Sequence, residues 1–191
     1  MQGSELLNSS RYAILNANYV LNKLKDHYNI LYTGSNNRCA HEFIIDIRPL
    51  KATCGITEED VSKRLIDYSF HPPTMSFPVN GSIMFEPTES EDKEELDRYI
   101  EAMISIRNEI KEIEEGKVDK LNNVLKNAPH SLNMLLSDNW NKPYSREKAA
   151  YPVKSLKRKK FFPSVSRIDN IYGDLNLICT CPPIEEYEYS F

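Results

Sequence analysis

The sequence lacks a long hydrophobic run and has few cysteines. No stretch approaches roughly 18 consecutive apolar residues, so no transmembrane helix is predicted. The opening run MQGSELLNSSRY has no apolar core of a secretory signal, and Glu5 makes it a poor mitochondrial presequence. The chain has too few cysteines for a disulfide framework, and reduced thiols in an intracellular compartment are expected at Cys39, Cys54, Cys179 and Cys181.

An excess of positive charge is also absent. Lys and Arg number 24 against 28 Asp and Glu, which gives a net charge of −4. We therefore predict neither a nucleic acid nor an anionic membrane as a partner. The one basic run is LKRKKFF, in which residues 157–160 precede Phe161 and Phe162. A phosphate-binding patch and a solvated surface run both fit it, and the surface run is favoured.

Hydrophobic periodicity in residues 1–116 predicts an α+β fold with a mostly antiparallel sheet. The order is helix, strand, strand, helix, strand, strand, helix. The predicted helices cover 12–27, 57–68 and 92–115, and the better-defined strands cover 28–32, 41–47 and 82–87. In the strand over 41–47, Phe43, Ile45 and Ile47 alternate with Glu42 and Asp46, which is typical of a half-buried strand.

Local signals predict where two of these helices begin. Thr57 with Asp60 three residues later resembles a capping box, so a helix is expected to start there. Thr88 or Ser90 is expected to cap the long third helix, and Gly116 is expected to end it.

Residues 117–191 differ from the first part of the chain. They have little sustained periodicity and contain prolines at 129, 143, 152, 163, 182 and 183. We predict a small domain over 1–116 and, over 117–191, a proline-rich tail of the same domain with short helices. A long irregular segment is uncommon in an isolated domain, so the tail is expected to wrap over a surface that this chain does not contain.

Several runs are similar, in the same order, to those of a known family. They are ILNANYV (14–20), AHEFIIDIRPLK (40–51), RLIDY (64–68), FHPPTMSFPV (70–79), MFEPTESEDKEELDRYIEAMISIRNEI (84–110), NAPH (127–130), PYSRE (143–147) and IYGDLNLICTCPP (171–183). Together they resemble the C-terminal end of glycine dehydrogenase (decarboxylating), the P-protein of the glycine cleavage system. One such run would be weak evidence of a family resemblance, but eight runs in the same order over nearly the whole chain are specific evidence.

The resemblance implies the small C-terminal domain of a fold-type-I enzyme that depends on pyridoxal 5′-phosphate. Such an enzyme decarboxylates glycine, with the cofactor as electron acceptor, and passes the aminomethyl group to the lipoyl arm of H-protein. The family's cofactor-bearing lysine lies upstream of ILNANYV, and this sequence has no segment like it. The chain resembles about the last fifth of the family, so we expect it to be inactive by itself.

The implied partners are glycine, lipoylated H-protein and either the N-terminal portion of a P-protein or the full-length protein. The implied location is the mitochondrial matrix, with a bacterial cytoplasm as the alternative. Two classes of function remain open. The chain is either the C-terminal portion of the enzyme, from a truncated or split gene, or a non-catalytic regulatory module or inactive remnant that associates with the full-length protein.

The FHPPT run supplies the first site candidates. In other fold-type-I enzymes, a group that binds the substrate carboxylate often comes from this helix–turn–strand position. By that analogy His71 and Thr74 face the cleft and donate hydrogen bonds to a small carboxylate, and Ser76 shares the alternation of Thr74. The alternative is that Pro72 and Pro73 form a stiff corner whose polar groups satisfy the local backbone.

Arg48 is the remaining substrate-binding candidate, since a guanidinium binds a carboxylate or phosphate through two hydrogen bonds. An ion pair with Asp46, on the same strand face, is the favoured alternative. His41 and Glu42 lack the second histidine of a zinc motif and are interpreted as an edge-strand pair tied to a loop. No residue of this chain is predicted to be catalytic or to bind a metal.

Two further interpretations concern single residues. Cys179 and Cys181 form a C-x-C pair that is redox-active in some proteins, although buried structural cysteines are favoured here. Ser69 stands where the family usually has glycine, and a serine with positive φ would lower stability.

Overall fold

The computed structural model describes residues 3–178 and 183–186. Four short strands and seven α-helices occur in these ranges. They are, in chain order, α1 (Gly3–Leu24), β1 (Asn29–Leu31), β2 (Phe43–Asp46), α2 (Arg48–Cys54), α3 (Glu58–Asp67), β3 (Thr74–Met75), β4 (Ser82–Phe85), α4 (Lys93–Glu114), α5 (Leu132–Leu136), α6 (Arg146–Ala150) and α7 (Asn170–Leu175). No helix in the described ranges is long and apolar enough to cross a membrane.

The strands form one antiparallel sheet in the order β1-β2-β4-β3, which confirms the predicted α+β class. Strand β2 is central, and all of its residues are buried, so the prediction of a half-buried strand was wrong. The alternation is present, with Phe43 and Ile45 in the main core. Asp46 on the other face is nevertheless covered, because it holds a guanidinium against its carboxylate.

Helix α1 is longer than predicted, and only its C-terminal third is buried. Its buried residues are Ala17, Val20, Leu21 and Leu24. Tyr12 and Leu15, nearer its N-terminus, are 57% and 61% exposed. The N-terminal part of α1 therefore presents an apolar surface that the described residues leave uncovered.

Helix α2 was not predicted. The sequence placed residues 48–54 after a strand without assigning them to an element, because the segment is too short for clear periodicity. Its signals are nevertheless present. Pro49 occupies the first turn, where a missing N–H has no consequence, and Gly55 with φ of 76° ends the helix.

The predicted helix ends are confirmed with one exception. Thr57 and Asp60 form the capping box of α3, with hydrogen bonds in both directions. Gly116 follows α4 with φ of 71°. The cap of α4 is Asp92, which accepts from the N–H of Glu95, rather than Thr88 or Ser90. The prediction of Thr88 or Ser90 was wrong, because the first helical turn begins at Lys93 and so places Asp92 at the cap position.

The segment after residue 116 folds back on the sheet domain as far as about residue 167. Val124, Leu125 and Leu156 belong to the main core, and Leu135 packs with α6 in a second, smaller cluster. Arg167 then donates to the buried carboxylate of Asp60 at 2.7 Å. Large apolar side chains beyond this point are exposed: Ile168, Ile171, Tyr172, Leu175, Leu177 and Ile178.

A buried charge network joins α3, α4 and this segment. The guanidinium of Arg64, fully buried, donates to both carboxylate oxygens of Glu109 at 3.0 and 2.7 Å and to Asp67 at 2.9 Å. It also donates to the carbonyls of Lys148 and Ala149. Asp67 in turn accepts from the backbone N–H of His130, and its carboxylate lies 2.7 Å from the ring Nδ1. This network fixes the irregular segment to the helices.

The pKa of the Asp67 carboxyl shows which effect dominates in this network. Burial acts to raise the pKa, since it disfavours the charged form. Hydrogen bonds from His130 and the charge of Arg64 act in the opposite direction, and they lower the pKa below its usual value. Asp67 is therefore ionised in the folded protein at neutral pH.

Two buried tyrosines, Tyr28 just before β1 and Tyr99 on α4, differ in one hydrogen bond, and this difference predicts opposite effects of mutation. The Tyr28 hydroxyl donates to the carbonyl of Met103 at 2.7 Å, whereas the Tyr99 hydroxyl has no partner among the described residues. We expect Tyr99→Phe to raise the free energy of unfolding by about 1 kcal/mol, because it removes an unsatisfied buried hydroxyl. Tyr28→Phe should lower it by about 1 kcal/mol.

The measurement is urea denaturation of the purified chain, with both variants compared with the unmodified protein. Tyr28→Phe is the matched control, since each variant loses one phenolic oxygen from the core. A clear loss of stability in Tyr99→Phe would show that its hydroxyl has a hydrogen-bond partner.

Candidate functional site

A cavity of about 500 Å³ lies between the FHPPT run and the start of α4. Its walls come from three places in the sequence that the sheet brings together: the turn after α3, the end of β4 and the first turns of α4. The lining residues are Ser69, Phe70, His71, Pro72, Pro73, Thr74, Met84, Phe85, Glu86, Pro87, Glu91, Glu95, Leu96 and Tyr99.

The floor of the cavity is aromatic. The rings of Phe85 and Tyr99 are stacked with centroids 4.2 Å apart, and Phe70 meets Tyr99 edge-on at 5.3 Å. The guanidinium of Arg98 lies 4.1 Å from the centroid of Phe70 and donates to the carbonyl of Tyr68. Helix α4 therefore fixes the chain where it leaves α3.

The turn after α3 is held in a conformation that costs backbone energy. Ser69 has φ of 64°, so it occupies the left-handed position that its replacement of glycine predicted. Its hydroxyl accepts a 2.8 Å hydrogen bond from the N–H of Phe161, in the basic run. This bond to the folded-back segment contributes stability at the strained residue.

His71 and Thr74 of the FHPPT run both line the cavity. Nδ1 of His71 donates to the carbonyl of Pro72 at 2.9 Å, so part of the local-backbone alternative is also present. Because Nδ1 carries the proton of this hydrogen bond, Nε2 can donate only when the ring is protonated on both nitrogens. A carboxylate in the cavity would therefore be bound by the imidazolium form.

Ser76 lies elsewhere, because the alternation that paired it with Thr74 is broken. Its φ is 54°, and β3 ends at the residue before it. The hydroxyl donates to Glu58 at 2.8 Å and accepts from the N–H of Gly81, and Ser76 is not among the residues that line the cavity. Its side chain organises the turn that leads to β4.

Arg48 is also outside the cavity. Its guanidinium donates to both carboxylate oxygens of Asp46 at 2.8 and 2.9 Å, which is the internal ion pair that the sequence favoured. These hydrogen bonds lower the pKa of the Asp46 carboxyl. A Cβ added to Gly81 would lie 2.7 Å from Cγ of Arg48, so the close approach requires glycine there.

The rim of the cavity is acidic. Glu86 and Glu91 are exposed, and Glu95 is paired with Arg98, whose hydrogen bonds lower the pKa of the Glu95 carboxyl. None of the described residues that line the cavity is a lysine. The residues present therefore do not fit a phosphorylated aldehyde cofactor, because they offer no amine for an imine and would repel its phosphate.

No sequence pattern predicted that Glu86 and His41 are neighbours, but the structure places them together. The antiparallel pairing of Phe43 with Phe85 sets Glu42 opposite Glu86, and His41 Nε2 lies 3.6 Å from the Glu86 carboxylate. Ligand atoms of all three residues lie within 4.8 Å of one another. An exposed ion-pair cluster accounts for this spacing, and the signal for it was the cross-strand register.

The contacts of Lys157 and Lys159 agree with the interpretation of the basic run as a surface run, whereas Lys160 is half-buried and donates to the carbonyl of Asp67. Lys159 lies 3.2 Å from Glu94, and Lys157 lies 4.0 Å from Glu147. Cys179 and Cys181 lie outside the described residues, so their predicted structural role stays a prediction.

Comparison with known proteins identifies the family. The family model described as "Glycine dehydrogenase, C-terminal domain" matches residues 9–130. The chain belongs to this family. Over 98% of its length it is 60% identical to glycine dehydrogenase (decarboxylating) A, mitochondrial, of Flaveria pringlei. It is 57% identical over 98% of its length to the mitochondrial protein of Dictyostelium discoideum and to the protein of Bdellovibrio bacteriovorus.

The similarity to glycine dehydrogenase covers a small part of these relatives. The chain spans about a fifth of their length: 18% of the Flaveria protein, 19% of the Dictyostelium protein and 20% of the Bdellovibrio protein. The relatives are named as enzymes, and this chain is a C-terminal domain portion of that type. The Flaveria and Dictyostelium relatives are named as mitochondrial, and the Bdellovibrio relative is not.

Proposed function

We propose that this chain is the C-terminal lobe of a glycine dehydrogenase (decarboxylating) whose remaining parts are supplied by another polypeptide segment. The observation that carries the proposal is the cavity in which His71 and Thr74 meet without a lysine. In this arrangement the lobe contributes one wall of a cleft, and the opposite wall carries the pyridoxal 5′-phosphate of a fold-type-I scaffold. The cofactor supplies the electron acceptor for loss of CO2 from glycine.

The side chains of this lobe bind and orient the substrate. The His71 imidazolium and the Thr74 hydroxyl donate hydrogen bonds to the glycine carboxylate, and the stacked floor of Phe85 and Tyr99 limits access of water. Glu86 and Glu91 on the rim attract the cationic ammonium of the substrate. Lipoylated H-protein then receives the aminomethyl group at the mouth of the assembled cleft.

Exposed apolar surface supports the need for a second lobe. Leu6, Leu7 and Leu15 on α1 are 50–61% exposed, and Leu175, Leu177 and Ile178 are 79–86% exposed. Isolated domains seldom leave so many large apolar side chains in water at two places. We propose that residues 1–116 form the small domain, that 117–191 form its tail, and that the missing lobe covers these two surfaces.

The proposal is tested by reconstitution. The 191-residue chain is mixed with the N-terminal portion of a relative, truncated just before the segment that corresponds to ILNANYV (14–20) of this chain. Glycine-dependent release of labelled CO2 is then measured with H-protein present. We expect no CO2 from either piece alone and activity from the mixture. Release of CO2 by the chain alone, or association without any activity, would contradict the proposal. The second of these results favours the regulatory or remnant alternative.

A further inference from the structure

A groove of about 680 Å³ lies between α1 and the turn at residues 36–39, which is part of the connection from β1 to β2. Three cations line it: Arg11 and Lys25 come from α1 and the residue after its end, and Arg38 comes from the turn. None of the described residues that line the groove is an aspartate or a glutamate. We call this region the cationic groove, and it shares no residue with the cavity that contains His71.

The charges of the cationic groove are unpaired. Arg48 and Arg107 hold carboxylates at 2.8 and 2.9 Å, whereas none of the three groove cations forms an ion pair with a described residue. The chain as a whole has a net charge of −4, so this local excess of positive charge does not follow from composition. Like charges that share a groove repel one another, and an anion bound between them removes that repulsion.

The turn is fixed to α1 by a reciprocal pair of hydrogen bonds. The N–H of Cys39 donates to Oδ1 of Asn18 at 3.1 Å, and Nδ2 of Asn18 donates to the Cys39 carbonyl at 2.8 Å. Asn36 and Asn37 have φ of 61° and 54°, a conformation that asparagine adopts more readily than most residues. The backbone that carries Arg38 is therefore held beside α1 before a ligand arrives, and a preformed site loses less entropy on binding.

We propose that the cationic groove binds a small organic phosphate, that is, a phosphate monoester with an apolar carbon part. A guanidinium donates two parallel hydrogen bonds to a phosphate, and Arg11 and Arg38 offer this from the two walls, with Lys25 as a third charge. Three cations exceed the single charge of a carboxylate and suit the charge of about −1.5 to −2 that a phosphate monoester carries at pH 7.

The size and the apolar lining of the groove agree with this class of ligand. Its volume lies in the range of about 300–1,000 Å³ that is typical of small-molecule sites. Ile14 and Leu15 also line it and are 45% and 61% exposed, so they offer apolar surface to the carbon part of the ligand. The basic run at 157–160 lacks this combination, because Lys157 and Lys159 are paired with carboxylates.

The test is a titration of the full 191-residue chain, isotope-labelled, with phenyl phosphate, and backbone amide shifts are followed by NMR. We expect saturable shifts at residues 11–25 and 36–39. Inorganic phosphate, which lacks the apolar part, should bind about tenfold more weakly, and phenol, which lacks the charge, should cause no shifts there. Shifts centred on residues 157–160, equal binding of phenol, or no saturation with phenyl phosphate would each overturn the proposal. No second lobe is needed, so the result is independent of the reconstitution experiment.

A matched pair of variants tests the role of the groove cations. Arg38→Gln should weaken binding of phenyl phosphate by about tenfold or more, because it removes a charge-assisted pair of hydrogen bonds. Arg158→Gln removes the same charge from an exposed position of the basic run and should leave the affinity unchanged. Arg38 is exposed, and the amide spectrum shows whether the variant keeps the fold. Lys25→Gln is a second variant and should weaken binding several-fold.

Two results with these variants would contradict the proposal. Equal losses of affinity in Arg38→Gln and Arg158→Gln would show that net charge alone attracts the phosphate. The other result is weaker association of Arg38→Gln with the N-terminal portion of a relative, together with no binding of phenyl phosphate to the unmodified chain. In that case an acidic segment of the second lobe, rather than a small phosphate, fills the cationic groove.

Discussion

Arg64→Met is expected to lower the free energy of unfolding by about 3–5 kcal/mol, the usual cost of breaking a buried ion pair from one side. Arg64 is fully buried, and its loss leaves the carboxylates of Glu109 and Asp67 without their shared cation. The carbonyls of Lys148 and Ala149 lose a donor as well. Since these carbonyls belong to the folded-back segment, that segment should detach first. The measurement is urea denaturation combined with amide hydrogen exchange.

Lys93→Met is the control for this prediction, because it breaks an ion pair with Asp97 on the surface of α4. An exposed pair of this kind contributes at most about 1 kcal/mol. The double variant Arg64→Met/Glu109→Gln should recover part of the stability, since it removes one of the unpaired charges. A similar small effect of Arg64→Met and Lys93→Met would show that the network is not a major source of stability.

His71→Ala is expected to lower kcat/KM for glycine by about 10- to 100-fold in the reconstituted enzyme. This range corresponds to the loss of one charge-assisted hydrogen bond to a carboxylate, roughly 1.5–3 kcal/mol. Nδ1 already donates to the carbonyl of Pro72, so the hydrogen bond that the substitution removes is the one from Nε2. The measurement is labelled CO2 release as a function of glycine concentration and pH.

His27→Ala is the matched control, since His27 is an exposed histidine just after α1 and does not line the cavity. It should leave kcat/KM unchanged. Binding of the chain to the N-terminal portion is measured in parallel, so that a loss of association is not mistaken for a loss of substrate binding. Unchanged kinetics in a well-associated His71→Ala complex would remove His71 from the substrate site.

Two of the candidate site residues come together through the local order of the sequence. His71 and Thr74 are separated by two prolines, so they stay close whatever the rest of the chain does. The acidic rim and the aromatic floor could not be predicted this way. Glu86 and Tyr99 reach the cavity only because β4 pairs with β3 and α4 returns across the sheet.

Ser76 and Lys160 show why local patterns have limits. Ser76 fits an extended alternation with Thr74, but the strand ends after Met75 and its φ becomes positive, which turns the side chain away from the cavity. Lys160 belongs to a basic run whose composition predicts a solvated surface segment. Only the fold shows that one lysine of the run contacts aromatic rings and the end of α3.

The sequence by itself determined the family, the α+β class, the capping of α3 and the end of α4 at Gly116, because periodicity and caps are local properties of the chain. Tertiary structure alone decided that Arg64 is buried and that the segment after residue 116 folds back on it. Apart from Asp67, its acceptors are distant in sequence, and such long-range pairing satisfies a buried charge without leaving a local pattern.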